Sequence, residues 1–256
     1  MNIEIKKAIR AGNSSAVILP RAWLDKEVRV ELVKKTPEII LRDVLNIAGE
    51  HIELSEIIGV YLVGSYARGE ENDDSDIDIL IISQNSNKEL ISEGIYNILI
   101  VSQELLKWKL ENDLFPVGSM INEAVPLINS AYLDLIKINV TKKNVKWYLD
   151  TTEKKIKLIR EVLDLSMKKR ISDRIIYSLI LRIRTLYIIN KLITNQKCSK
   201  REFVELIDKV SGSGDAYESY LAIKNDLEDD YKTTKDGAEK LYVYLKKQLE
   251  DVKGKV

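Results

Sequence analysis

The spacing of apolar residues changes twice along the chain, and each change marks a different kind of segment. Over residues 1–42 apolar residues come in short clusters: Ile3 to Ile9, Ala16 to Leu19, Val28 to Val33 and Ile39 to Leu41. Gly12-Asn13, Pro20 and Thr36-Pro37 separate them, which predicts short strands joined by turns. Val28, Val30 and Leu32 alternate with Arg29, Glu31 and Val33, the period of two of a half-buried strand. A unit of this length buries little core by itself, so pairing with a second copy is expected.

Residues 43–140 alternate between the two periods. A helical pattern over 43–57 leads into an apolar strand, Gly59 to Val63. Ile77 to Ile82 and Tyr96 to Val101 are two more apolar runs of strand length. Ser102 stands as an N-cap before Gln103-Glu104, and that helix should end before Pro116. Residues 141–256 carry no strand pattern and no proline. Lys142 to Met167 and Ile171 to Thr194 keep helical spacing, with Ile175, Leu179, Ile183 and Leu186 on one face. Ser172 and Ser199 read as N-caps and 211–214 as a loop, so four or five helices are expected. The organisation is therefore multidomain α+β, divided as 1–42, 43–140 and 141–256.

Composition narrows the chemistry. The 256 residues are 45% hydrophobic and 31% charged, without an apolar run long enough to span a bilayer. Only one cysteine, Cys198, and one histidine, His51, are present. Internal disulfides and His-based catalysis are thereby set aside, a reducing cytoplasm is the expected location, and any metal must be held by carboxylates. The net charge of zero hides local sums of +3 over 1–48, −11 over 49–140, +12 over 141–201 and −4 over 202–256. A basic segment of that size suits either a solvated face or an acidic partner.

The most informative stretch runs Val60-Tyr-Leu-Val-Gly-Ser-Tyr-Ala-Arg-Gly69, followed by Ser75-Asp-Ile-Asp-Ile-Leu-Ile81. A strand that ends at Gly64 lets a ligand approach the backbone. Ser65 then opens a short helix whose N–H groups attract phosphate oxygens. Asp76 and Asp78 flank Ile77 on an extended run, which puts both carboxylates on one face. Two such carboxylates can hold a hard divalent cation whose shell a triphosphate completes.

The spacing G-S-x(10)-D-x-D, with Ser75 ahead of the first Asp, resembles the polymerase-beta-like nucleotidyltransferases, and in size their minimal prokaryotic members. The resemblance covers roughly 45–140 and implies a mixed-sheet domain that uses Mg2+ or Mn2+ and an NTP, ATP in the first place. It implies catalytic and metal-binding roles for Asp76 and Asp78, and nucleotide contacts from Gly64, Ser65, Arg68, Gly69 and Ser75. Attack of a hydroxyl on the α-phosphorus would release pyrophosphate. One departure stands out. Active members place a third acidic residue at the start of the next strand, and Asn97 holds that position here. An amide offers a carbonyl ligand but no base; Glu93 is the nearby acid that could substitute.

Two flanking resemblances complete the expectation. Lys7 to Leu24, centred on Gly12-Asn13-Ser14 and Leu19-Pro20-Arg21, resembles SpoVT/AbrB-like (MazE-type) DNA-binding domains. It implies a small swapped-hairpin β-barrel shared by a homodimer, with Lys6, Lys7, Arg10, Asn13, Ser14 and Arg21 meeting DNA. The C-terminal helices, with Tyr220-Leu-Ala-Ile-Lys-Asn-Asp226, resemble the HEPN-like or kanamycin-nucleotidyltransferase-like bundles that accompany minimal nucleotidyltransferases, without the His that HEPN ribonuclease chemistry needs. The functional expectation is transfer of a nucleoside monophosphate to a protein or small-molecule hydroxyl. The alternative is a nucleotide-sensing, antitoxin-like DNA-binding regulator. No membrane partner is expected.

Overall fold

A computed structural model describes residues 4–6, 8–32, 35–72, 75–227 and 230–256. The chain divides into two compact units, one of Met1–Lys107 with Glu123–Lys137 and one of Trp108–Asn122 with Ile138–Val256.

The first unit begins with a hairpin of β1 (Ile9–Ala11) and β2 (Ser14–Ala16), in which Ile9 faces Ala16 across the Gly12-Asn13 turn. The turn lies where the sequence places it, but the strands do not. A two-residue loop, with Gly12 at φ +62°, pairs the residues that immediately flank it. Pairing therefore takes Ile9–Ala11 and Ser14–Ala16 rather than the apolar clusters on either side. Val28 to Leu32 makes no strand pairing among the described residues, and Val33 lies outside them. Ile39 to Leu41, expected as a strand, belongs to helix α1 (Pro37–Gly49). Pro37 suits a helix's first position, and Ile40, Val44, Ile47 and Ala48 then fall on one buried stripe.

Helix α1 packs on a five-stranded sheet built from β3 (Ile57–Val63), β4 (Ile77–Ser83), β5 (Lys88–Glu93), β6 (Tyr96–Ser102) and β7 (Val125–Ile128). Between β3 and β4 lies the short helix α2 (Gly64–Arg68). The strand order is β5-β6-β4-β3-β7, with β4 and β6 parallel and the other pairs antiparallel. This is the mixed sheet that the nucleotidyltransferase resemblance implies. β3, β4 and β6 are almost wholly buried, as their continuous apolar runs require. β5 and β7 escaped the pattern because they are exposed edge strands, and β7 also carries Pro126. The buried Tyr96 hydroxyl donates to Asp43 Oδ2 at 3.0 Å, tying α1 to the start of β6.

Next come α3 (Gln103–Asn112), α4 (Val117–Glu123) and, after β7, α5 (Ser130–Leu135). The Ser102 hydroxyl accepts the Leu105 N–H, the cap expected there, and α3 ends before Pro116.

The second unit is helical. Its long elements are α6 (Lys142–Leu165), α7 (Asp173–Ile193), α8 (Lys200–Ser211), α9 (Asp215–Lys224) and α10 (Lys235–Lys253). Five helices match the upper expectation. Ser172 and Ser199 cap α7 and α8 through their hydroxyls, each such cap worth about 1 kcal/mol. The α7 stripe Ile176, Leu179, Ile180, Ile183, Leu186 and Ile189 forms the core against α9 and α10.

Candidate active site

The site grows from the end of β3. Val60 to Val63 is fully packed between β4 and β7, and the chain then turns sharply at Gly64, whose φ is +70°. A Cβ at this position would lie 2.2 Å from Asp78 Oδ2, so the missing side chain makes room for that carboxylate. One turn of helix follows and closes at Gly69, which is left-handed and returns its N–H to Ser65 and Tyr66.

Asp78 reaches this turn through sheet register. It stands opposite Val63 across the antiparallel β3–β4 pair and beside Asn97 across the parallel β4–β6 pair. Ile77 is fully buried, Asp76 exposed and Asp78 half-buried, the alternation that the sequence predicts. Asn97 Nδ2 donates to Asp78 Oδ1 at 3.5 Å, while Asn97 Oδ1 accepts from the Ser92 hydroxyl at 2.9 Å. The amide carbonyl, expected to be open to a ligand, is therefore engaged by Ser92. Burial raises the Asp78 carboxyl above its usual range, the Asn97 bond lowers it, Asp76 raises it and Arg68 lowers it, with a net upward shift. Glu93 is in other company. Burial and then Glu50 and Glu4 raise its carboxyl, opposed by Lys6 and His51.

The remaining nucleotide candidates fall into two groups. Ser65 stands in α2, and Ser75 anchors the approach to Asp76: its hydroxyl accepts the Asn72 N–H at 2.9 Å and donates to Asn72 Oδ1 at 3.0 Å. Arg68 is paired inward. Its Nε donates to Glu70 at 2.9 Å and its Nη1 to Glu123 at 2.5 Å. Burial pulls the guanidinium pKa down, and the bonds to both carboxylates more than reverse this. Glu123 is the residue that sequence reasoning missed. Its other oxygen accepts the Gly64 N–H at 2.9 Å, although 59 residues separate them. No motif surrounds Glu123; only β7, which starts two residues later and pairs with β3, brings it there.

Among the described residues no cluster of three or more His, Cys, Asp or Glu forms a closed metal cage. The donor set at the turn is two neighbouring carboxylates, one lifted by burial and by its neighbour's charge. Such a pair fits a hard divalent cation that takes its other ligands from phosphate and water.

A family model for the nucleotidyltransferase domain matches residues 41–180. The chain belongs to that family. In this nucleotidyltransferase the match runs past the central sheet through α6 into α7, farther than the 45–140 of the sequence resemblance, and includes neither the β1–β2 hairpin nor α8 to α10. No curated protein matches the chain. Two solved structures show similarity to the chain. One is a spectinomycin adenyltransferase from Enterococcus faecialis with ATP and spectinomycin, 13% identical, covering 82% of this chain and 98% of its own, with a TM-score of 0.45. The other is a nucleotidyltransferase-like protein from Exiguobacterium sibiricum, 13% identical, covering 83% of this chain and 75% of its own, with a TM-score of 0.38.

The residues expected to meet DNA are a separate group. Arg10, Asn13 and Ser14 lie on the exposed hairpin, and Arg21 starts the short turn after Pro20. Lys6 pairs with Glu4 at 2.8 Å, and Lys7 lies outside the described residues. No helix among the described residues is long and apolar enough to cross a membrane.

Proposed function

We propose that this nucleotidyltransferase moves a nucleoside monophosphate from an NTP, ATP in the first place, to a hydroxyl of a protein or small molecule. The observation that carries this reading is the Gly64 turn closed directly against Asp78 in a member of the family. Asp76 and Asp78 would hold Mg2+ or Mn2+, which supplies charge neutralisation of the triphosphate when bound. The Gly64–Arg68 turn would receive the phosphates, with the Ser65 hydroxyl as a further donor. The acceptor oxygen forms the new bond to the α-phosphorus, the bond to pyrophosphate breaks, and the acceptor's proton leaves to water. Asn97 bears no charge and takes no proton, so turnover is slow beside that of a site with a third carboxylate. Incubation with labelled ATP, GTP, CTP or UTP, Mg2+ or Mn2+ and candidate acceptors tests this. Label on an acceptor with pyrophosphate release is expected. Absence of both across all acceptors would sink it.

A second reading has its own support: the chain is a dimeric, DNA-binding regulator whose nucleotidyltransferase domain senses nucleotide. Val30 and Leu32 are 72% and 96% exposed in one copy, although their alternation with Arg29 and Glu31 suits a strand with one covered face. Antiparallel pairing of two copies about Val30 would set Arg29 opposite the partner's glutamate and join the two apolar rows on one face, which the rest of a two-chain barrel would cover. The swapped barrel, which needs two chains, belongs to this reading, with the exposed basic hairpin as its DNA face. Gel shifts with the chain's own promoter region should show binding that weakens as salt rises and falls with Arg10→Ala. A monomer in sedimentation, or affinity indifferent to salt, would count against it.

A further inference from the structure

The strands flanking β3 give the Gly64 turn two sides. β4 brings Asp78 to one, where the absent Cβ would have been; β7 follows Glu123 on the other, to which the Gly64 N–H points. Glu123 is only 8% exposed, and both of its oxygens are used, Oε1 on the Gly64 N–H and Oε2 on Arg68. Gly64 and Arg68 are the first and last residues of α2, so one carboxylate spans the whole turn. Arg68 is bound again by Glu70. The guanidinium is therefore held by two carboxylates, through Nε and Nη1.

We propose that Glu123 is a positioning residue of the nucleotide turn, holding the Gly64 amide and Arg68 so that the side of the turn facing Asp78 is set for the triphosphate. The proposal rests on the Gly64–Arg68 turn being the nucleotide site. Its logic is that a part-buried N–H and a part-buried cation each gain from an acceptor. Without one, the turn would rearrange or recruit phosphate into the wrong place. Arg68 accordingly shapes the turn from behind and does not touch the nucleotide.

The test uses the full chain with Glu123→Gln, Glu123→Asp, Arg68→Gln and the Glu123→Gln/Arg68→Gln double variant, each assayed below its melting temperature. With MgATP as the probe, Glu123→Gln should weaken binding by about tenfold, the effect of losing one charge-assisted contact. Glu123→Asp, which keeps the charge, should recover part of that. The double variant should be no worse than the weaker single one, because both remove the same clamp. Multiplying effects would mean that Arg68 meets phosphate directly, and unchanged affinity in a folded Glu123→Gln protein would mean that the clamp only stabilises; either overturns the proposal. Hydrogen exchange at the Gly64 amide, read by NMR without nucleotide, keeps the two readings apart. It should be slow in the native protein and accelerate in Glu123→Gln. If MgATP does not bind the native chain, the nucleotide reading falls with the positioning role, whereas equal exchange rates refute the clamp itself.

Discussion

Two aspartates, one in each unit, show what the protein does with a carboxylate it has taken from water. Asp173, at the first position of α7, is fully buried and accepts the Ser219 hydroxyl at 2.6 Å and the backbone N–H groups of Asp230 and Lys232 at 2.9 and 3.2 Å. Those bonds, with the positive end of α7, answer its charge completely and pin the 230–232 stretch to the bundle. Asp78 is only half-buried, yet its surroundings answer it in part: one long contact from Asn97 and the charge of Arg68, which is itself tied to two other carboxylates, are outweighed by burial and by Asp76. The same functional group is finished as structure in one place and left short of positive charge in the other. An unfinished carboxylate of this kind marks a place where an incoming cation would complete the electrostatics.

Substitutions can break or sharpen that contrast. The largest effect should come from Asp78→Asn, which should lower nucleotidyl transfer by on the order of 10²–10³-fold in a labelled-NTP assay, since it removes charge from the reacting centre. Asp173→Ala should cost about 2 kcal/mol in urea denaturation, because it empties a buried position and removes the acceptor of the Ser219 hydroxyl and of two part-buried backbone N–H groups, while KM in the surviving folded protein stays unchanged. If Asp173→Ala instead altered KM without loss of stability, the contrast would collapse. Asn97→Asp should raise turnover by on the order of 10²-fold by restoring a base beside Asp78. No change would mean that another group already takes the proton.

The smallest effect has the opposite sign to the first. Because the folded protein holds the Asp78 carboxyl above its ordinary range, it binds that proton more tightly than the unfolded chain does. In metal-free protein the site's contribution is therefore favourable at acid pH and is lost as pH rises from the ordinary carboxyl range through the raised value. Asp78→Asn should accordingly raise the melting temperature at pH 7 by about 2 °C, and the gain should vanish toward pH 3, as followed by circular dichroism. A lower melting temperature for Asp78→Asn at pH 7 would contradict the raised pKa.

Local order was legible in the residues wherever it depends on neighbours in the chain. The period of two around Ile77 put Asp76 and Asp78 on one face, the 3.6 period along α7 named its buried stripe, and Ser102, Ser172 and Ser199 announced the helices they cap. Ile39 to Leu41 shows the limit. Three adjacent apolar residues suit either period, and only packing of Ile40 with Val44 and Ile47 against the sheet decided for the helix. Edge strands β5 and β7 gave no signal, because a strand exposed on one side needs few apolar residues.

The Gly64-Ser65 and Asp76-Ile77-Asp78 pattern by itself pointed to the nucleotidyltransferase family and to the residues proposed for its chemistry, since the turn and the strand that follows are built from contiguous sequence. Tertiary structure alone decided what surrounds them. Strand pairing set Asn97 beside Asp78 and gave its carbonyl to Ser92, and the return of β7 to β3 delivered Glu123 to the Gly64 amide and turned Arg68 inward. Asn97 lies 19 residues from Asp78, and Glu123 lies 59 from Gly64. No local period carries information over that distance; only the closing of the sheet does.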